Sequence, residues 1–199
     1  MNVGMPGLAG VRRTTGLIVG CLLIALVGVV GRAQAGQVDA AKGAVILTVA
    51  GAIGNWNRPA YDDRRDTFLK HHEITFDKAM QFDREMLAKL PQGSVEAKPP
   101  QLGKVGKFTG PRLAAVLGAA GARQGSGLRA MALDGFTADI EASQLTSKDW
   151  IVATAVDGKP LAIGDQGPLW LLHSPKSASQ VGEEEEMSWP WAVFYIVVE

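Results

Sequence analysis

Four of the five tryptophans of this 199-residue chain, Trp150, Trp170, Trp189 and Trp191, fall in its second half with Phe136 and Tyr195. The same segments carry Asp134, Asp139, Lys159, Asp165, His173 and Lys176. An indole or phenyl face stacks on a planar heterocycle, and acids or hydrogen-bond donors beside it read the heterocycle's edge. The chemistry on offer is therefore recognition of a flat, polar ring system. Each tryptophan taken singly also serves as an ordinary core residue, so the signal lies in the clustering.

Other chemistries have less behind them. His71 and His72 are adjacent, so on a strand they point to opposite faces and cannot chelate one ion together. Asp62-Asp63-Arg64-Arg65-Asp66 reads as a solvated loop of paired charges, and Glu183 to Glu186 as a self-repelling surface run. No Gly-x-Ser-x-Gly elbow, P-loop, His-Glu-x-x-His pair or dinucleotide glycine fingerprint occurs. The single cysteine, Cys21, sits in an N-terminal apolar run, so residues 36–199 hold no thiolate nucleophile, no disulfide and no sulfur ligand for a metal. Basic and acidic residues number 20 each; without Arg12, Arg13 and Arg32 the remainder carries a net charge of about −3, which disfavours a nucleic-acid partner.

The N-terminus reads as an address. Arg12-Arg13, the apolar and glycine run from Gly16 to Gly31, and Ala33-Gln34-Ala35 are the parts of a secretory signal with cleavage after Ala35. The expected organisation is a signal peptide over residues 1–35 and one exported, periplasmic domain over 36–199. An uncleaved anchor, a twin-arginine signal at Arg12-Arg13 and a lipobox ending at Cys21 are the alternatives.

Several elements must position the aromatic cluster. Ala44 to Ala50 reads as a buried strand closed by Gly51, Gly54 to Lys70 as a surface excursion, and His71 to Asp77 as a short strand. Phe82 to Leu90 has helical spacing, with Asp83 near its start and Pro91 at its stop, and Gln92 to Lys107 reads as a solvent-facing connection. Thr109-Gly110 predicts a helix cap, with Pro111 at the first helical position, an apolar stripe of Leu113, Val116, Leu117 and Ala120, and a stop at Gly121. Leu128 to Leu133, Phe136 to Ile140, Ile151 to Val156, Leu161 to Ile163, Pro168 to His173 and Trp191 to Val198 read as strands, and Ser174 to Glu186 as an acidic surface loop. About seven strands and two short helices, without repeat or regular alternation, predict an α+β class with a mainly β core.

The order of these segments resembles the small exported domains with the sulfite-oxidase-type molybdopterin-binding fold. The matching stretches are LTVAGAIG (47–54), FDREMLAKLP (82–91), FTGPRLAAVLGAAGA (108–122), ALDGFTADI (132–140), DWIVATAVDGKPLAIGDQGPLWLL (149–172) and WPWAVFYIVV (189–198). In catalytic members a cysteine just before the Phe-x-Gly-Pro segment ligates molybdenum; here the corresponding SVEAKPPQLGKVGKF (94–108) has no sulfur. The resemblance is therefore closest to the cysteine-free members, which look like periplasmic sensors. Such sensors present a metal-free pterin to the outer domain of a membrane signalling protein, such as a cyclic-di-GMP enzyme or a histidine kinase.

Carried over residue by residue, the resemblance implies pterin contacts from Asp134, Phe136 and Asp139, from Trp170 and His173 after the Gly-Pro-Leu motif, and from Trp191 near the end. It implies no catalytic residue and no protein-ligated metal. The chain departs from the family at Lys98-Pro99-Pro100, which offers no ring, at Phe136 in place of Tyr, at His173-Ser174 in place of Tyr-Pro, and at Trp191-Ala192 in place of Trp-Gln. Two other readings stay open: a molybdopterin-dependent oxidoreductase that leaves its metal without a protein thiolate, and an interaction scaffold that has lost its ligand.

Overall fold

The computed structural model describes residues 1–4 and 36–199. Arg12-Arg13, the apolar run with Cys21 and the expected cleavage site lie outside the described residues. Among the described residues no helix is long and apolar enough to cross a membrane.

The first sheet is organised around β1 (Val45–Gly51), whose sequence VILTVAG has no charge to keep either face in water. β1 runs parallel to β12 (Val193–Val198) and antiparallel to β3 (Lys78–Asp83). β12 pairs in turn with β6 (Leu128–Ala132), and β6 with β7 (Thr137–Ile140); the two-residue β2 (Arg58–Pro59) closes the other edge. The order is β2-β3-β1-β12-β6-β7. One face sends Leu47, Val49, Leu128, Ala130, Ile140 and Ile196 into the main core. The reverse face, with Ala50, Ala79, Phe194 and Tyr195, is covered by Leu69 and Ile74 of the excursion.

That excursion is more ordered than its mixed composition implies. It contains α1 (Thr67–His71) and is clasped by an ion pair between Arg58 and Asp66, whose side chains are only 13% and 6% exposed. The strand expected over His71 to Asp77 does not form. His71 is the last residue of α1, and Glu73 takes φ 56°, which breaks extended backbone. The two histidines therefore do not straddle a strand: His72 packs against Phe68 and Phe194, with ring centroids 4.8 and 5.1 Å away.

The second sheet has the order β10-β9-β5-β4 and is flanked by a two-stranded pair, β8 (Trp150–Ala153) with β11 (Trp170–His173). The expected connection over Gln92 to Lys107 instead supplies β4 (Gln92–Ala97) and the start of β5 (Gly106–Pro111), in register from Gln92↔Pro111 to Ala97↔Gly106. Buried Val95 and Ala97 alternate there with exposed Glu96, a strand period hidden among charges. β9 (Ala155–Val156) and β10 (Lys159–Pro160) form the hairpin beyond, while Leu161 to Ile163 makes only isolated bridges.

Five short helices complete the described residues. α2 (Arg84–Lys89) starts at Asp83 as expected, whose carboxylate accepts from the Met86 and Gly43 amides at 2.8 and 2.7 Å. α3 (Leu113–Ala119) begins later than expected, because Thr109-Gly110-Pro111 ends β5 and Arg112 takes the N-cap place. Its stop is the expected one, Gly121 at φ 62°. α4 (Ala142–Ser147) lies in the polar stretch before β8, and α5 (Glu183–Met187) in the acidic loop.

Gly110 is required by packing rather than by a helix cap. A Cβ there would collide with the Val152 carbonyl oxygen and lie 2.8 Å from the Ala153 Cα, while a Cβ on its cross-strand partner Gly93 would lie 2.8 Å from the Ile151 side chain. The glycine pair lets β8 cross β5 at backbone distance. Gly110→Ala should therefore destabilise the domain by about 3 kcal/mol, read as a lowered urea midpoint; an unchanged midpoint would show that the crossing has slack.

Candidate ligand site

A cavity of about 190 Å³ opens where β11, the turn after β6, the 98–105 loop and the segment between α5 and β12 meet. Trp170 comes from β11, Trp189 and Trp191 from the segment leading into β12, and Phe136 from the turn. Asp134, Glu186 and Gln101 add the polar groups, and Pro99, Ala132, Met187 and Pro190 complete the lining.

Each aromatic wall is held by identifiable contacts. Trp170 is 2% exposed, donates its Nε1–H to the Trp189 carbonyl at 3.2 Å and meets the Phe108 ring edge-on at 5.2 Å. Asp134 Oδ1 accepts from the Phe136 amide at 2.9 Å, and Gly135 at φ 89° completes the turn that presents the half-exposed Phe136 ring. Glu186 Oε1 accepts from Gln101 Nε2 at 3.0 Å, joining α5 to the 98–105 loop. Trp189 is buried, and its Nε1 has no hydrogen-bond partner among the described residues. An unmet buried donor costs on the order of 1–3 kcal/mol, so this wall is not built for packing alone.

Four of the six residues singled out from the sequence, Asp134, Phe136, Trp170 and Trp191, line this cavity; Asp139 and His173 do not. On β7, Ala138 and Ile140 point into the core, which sends Thr137 and Asp139 to the opposite face. Asp139 there stands opposite Arg129 and accepts from its Nε and Nη2 groups, at 2.6 and 3.1 Å. This pairing with Arg129 holds its carboxyl below the usual range. Trp189, Gln101 and Glu186 line the cavity without having been selected: Trp189 belonged to the aromatic cluster, but Gln101 lay in the expected connection and Glu186 in a run read as self-repelling. Tyr195 is on the reverse face of the sheet, its phenol pushed up to about 12 by burial.

Among the described residues no group of three or more His, Cys, Asp or Glu side chains is placed to hold a metal ion. The rings and carboxylates of the cavity match a flat heterocycle with N–H groups along one edge. The 94–108 stretch runs from β4 into β5 without a sulfur atom.

His173 sits behind the cavity wall. Only 1% exposed, it lies edge-on to Trp150 and Trp189 with ring centroids 4.6 and 5.3 Å away. Lys148 Nζ is 3.1 Å from its Nε2, and the Ser174 carbonyl is 3.0 Å from its Nδ1. An ammonium only donates and a carbonyl only accepts, so the ring is neutral with its proton on Nδ1. Burial first, and the Lys148 charge, push its pKa below the ordinary histidine value. A base with a lowered folded pKa contributes stability that is complete above about pH 6.5 and is lost as pH falls from there through the folded pKa. Stability should accordingly drop as pH falls below about 6.5, and His173→Gln should flatten that part of the profile in denaturant titrations; parallel profiles would contradict the assignment.

No family model matches the chain, and no curated protein matches it. Solved structures do: the chain superposes on the sulfane dehydrogenase SoxCD of Paracoccus pantotrophus with a TM-score of 0.50 at 16% identity, over 76% of this chain and 37% of that one. The chain thus spans little more than a third of the structure it matches. Identity at this level shows the fold alone. That fold is the sulfite-oxidase-type molybdopterin-binding fold, α+β and mainly β, as the order of segments in the sequence led us to expect.

Proposed function

We propose that this domain is a non-catalytic binding module for a pterin-like bicyclic heterocycle, taken up by the cavity among Trp170, Trp189, Trp191 and Phe136. The observation that carries this reading is the convergence of four aromatic side chains, from three separate segments, on a cavity lined also by Asp134, Glu186 and Gln101. Size supports it. A cavity of about 150 Å³ accepts benzene, and 190 Å³ leaves room for two fused rings. It falls short of the roughly 300–1,000 Å³ that encloses drug-sized ligands. The 2-amino and ring N–H edge of a pterin would donate to the carboxylates, and its faces would stack on the indoles.

The residues fit the pterin portion of the cofactor that gives the fold its name, and they do not fit its metal. A molybdopterin-dependent oxidoreductase is the second reading, favoured by the fold shared with a sulfane dehydrogenase. Residues 36–199 offer it no thiolate.

The signal-like N-terminus supports a periplasmic location. There the domain would pass its ligand state to the outer part of a membrane signalling protein. Support for this reading comes from Phe136 and Met187, which line the cavity and are 42% and 65% exposed.

The test is to purify the protein from its native periplasm, denature it, and record pterin fluorescence with metal analysis of the same sample. The expected result is near-stoichiometric pterin without molybdenum, reduced about tenfold or more in Asp134→Asn, which loses a charged acceptor, and unchanged in Asp139→Asn. Stoichiometric molybdenum, no pterin, or full retention in Asp134→Asn would overturn the proposal.

A further inference from the structure

A second concavity, about 450 Å³, lies between α3 and α4, away from the tryptophan cavity. Its apolar lining comes from Leu113 and Leu117 of α3, Leu145 of α4 and Trp150 at the start of β8. Trp150 is fixed in this wall by its Nε1–H, which donates to the Gln144 carbonyl at 3.1 Å. The volume lies within the range of sites that enclose small organic ligands, roughly 300–1,000 Å³.

Charge is distributed unevenly along this groove. At the end where α3 begins and α4 gives way to β8 stand Arg112 and Lys148, with Asp149 as the acid among the lining residues. The Arg112–Asp149 contact is 3.2 Å long with side chains 48% and 81% exposed, a pair that holds little energy and exchanges readily. Lys148 is oriented by neutral His173, an acceptor that leaves its charge uncompensated. At the opposite end Arg123 is already engaged by the Glu199 main-chain oxygen and Ser126 Oγ, at 2.8 and 3.2 Å. One end of an apolar trough thus carries a surplus positive charge.

We infer that this groove binds a medium-chain monocarboxylate, with the carboxylate on Arg112 and Lys148 and the alkyl chain along Leu113, Leu117, Leu145 and Trp150. Arginine presents a planar fork that matches a carboxylate, and the apolar walls remove the chain from water. Asp149 competes with the ligand for Arg112, so neutralising it frees the guanidinium for the carboxylate.

Titration calorimetry with decanoate below its micelle concentration, at low ionic strength, tests it. Decanoate should bind at one site, with decanol binding at least about tenfold more weakly for want of the charge. Arg112→Gln should weaken decanoate by about tenfold, and Asp149→Asn should tighten it. Both side chains are exposed, and unchanged melting temperatures would show that the variants keep the fold. Absence of decanoate binding, equal binding of decanol, or an Asp149→Asn variant that binds no tighter would overturn the inference.

Discussion

The parallel pairing of β1 with β12 is the constraint on which the rest of the structure depends. Thr48 lies beside Tyr195 and Gly51 beside Val198, contacts between strands at opposite ends of the domain sequence. Once β12 is held at the sheet centre, its other edge receives β6 in the register Val193↔Ala132. That register brings Trp189 and Trp191, just before β12, to the turn holding Asp134 and Phe136, just after β6. The hydrogen bond from the Leu133 amide to the Ala192 carbonyl, 3.0 Å, marks the junction. A bulge between Val193 and Tyr195 and the positive φ of Ala192, 52°, turn the chain out of the strand where Trp191 meets the cavity.

The two-stranded β8–β11 pair supplies the remaining wall. β11 contributes Trp170 to the cavity and, three residues on, His173 to the interior behind it. The indole of Trp189 stands between the two environments, lining the cavity while packed edge-on to a neutral imidazole. A ligand that moved Trp189 would press on His173 and through it on Lys148, so the cavity and the groove beside α4 share a chain of contacts.

Several local signals within residues 36–199 match the structure. β1, the Asp83-capped α2, the Gly121 stop and the strands around Asp134-Gly135 follow from local residue types. β4 was hidden because Glu96 and Lys98 masked the alternation of Val95 and Ala97. Residues Thr109 to Pro111 carry a helix-start pattern, yet the approach of β8 through Gly93 and Gly110 makes them the end of a strand, which only tertiary packing reveals. At the site, period-2 alternation already separates Trp170 from His173, three residues apart and hence on opposite faces. The same alternation sets Asp139 apart from buried Ala138 and Ile140. Its pairing with Arg129, and the selection of Glu186 from four consecutive acids by Gln101, depend on register and loop packing that no local pattern encodes.

The central claim is that the Trp170–Trp189–Trp191 cavity takes a pterin ring. The five indole N–H resonances of the ¹⁵N-labelled protein, assigned by single substitution and followed during titration with a reduced pterin, test it most directly. The account predicts saturable shifts at Trp170, Trp189 and Trp191, with Trp56 left in place. Shifts confined to Trp56 or Trp150, or none at any indole, would contradict it.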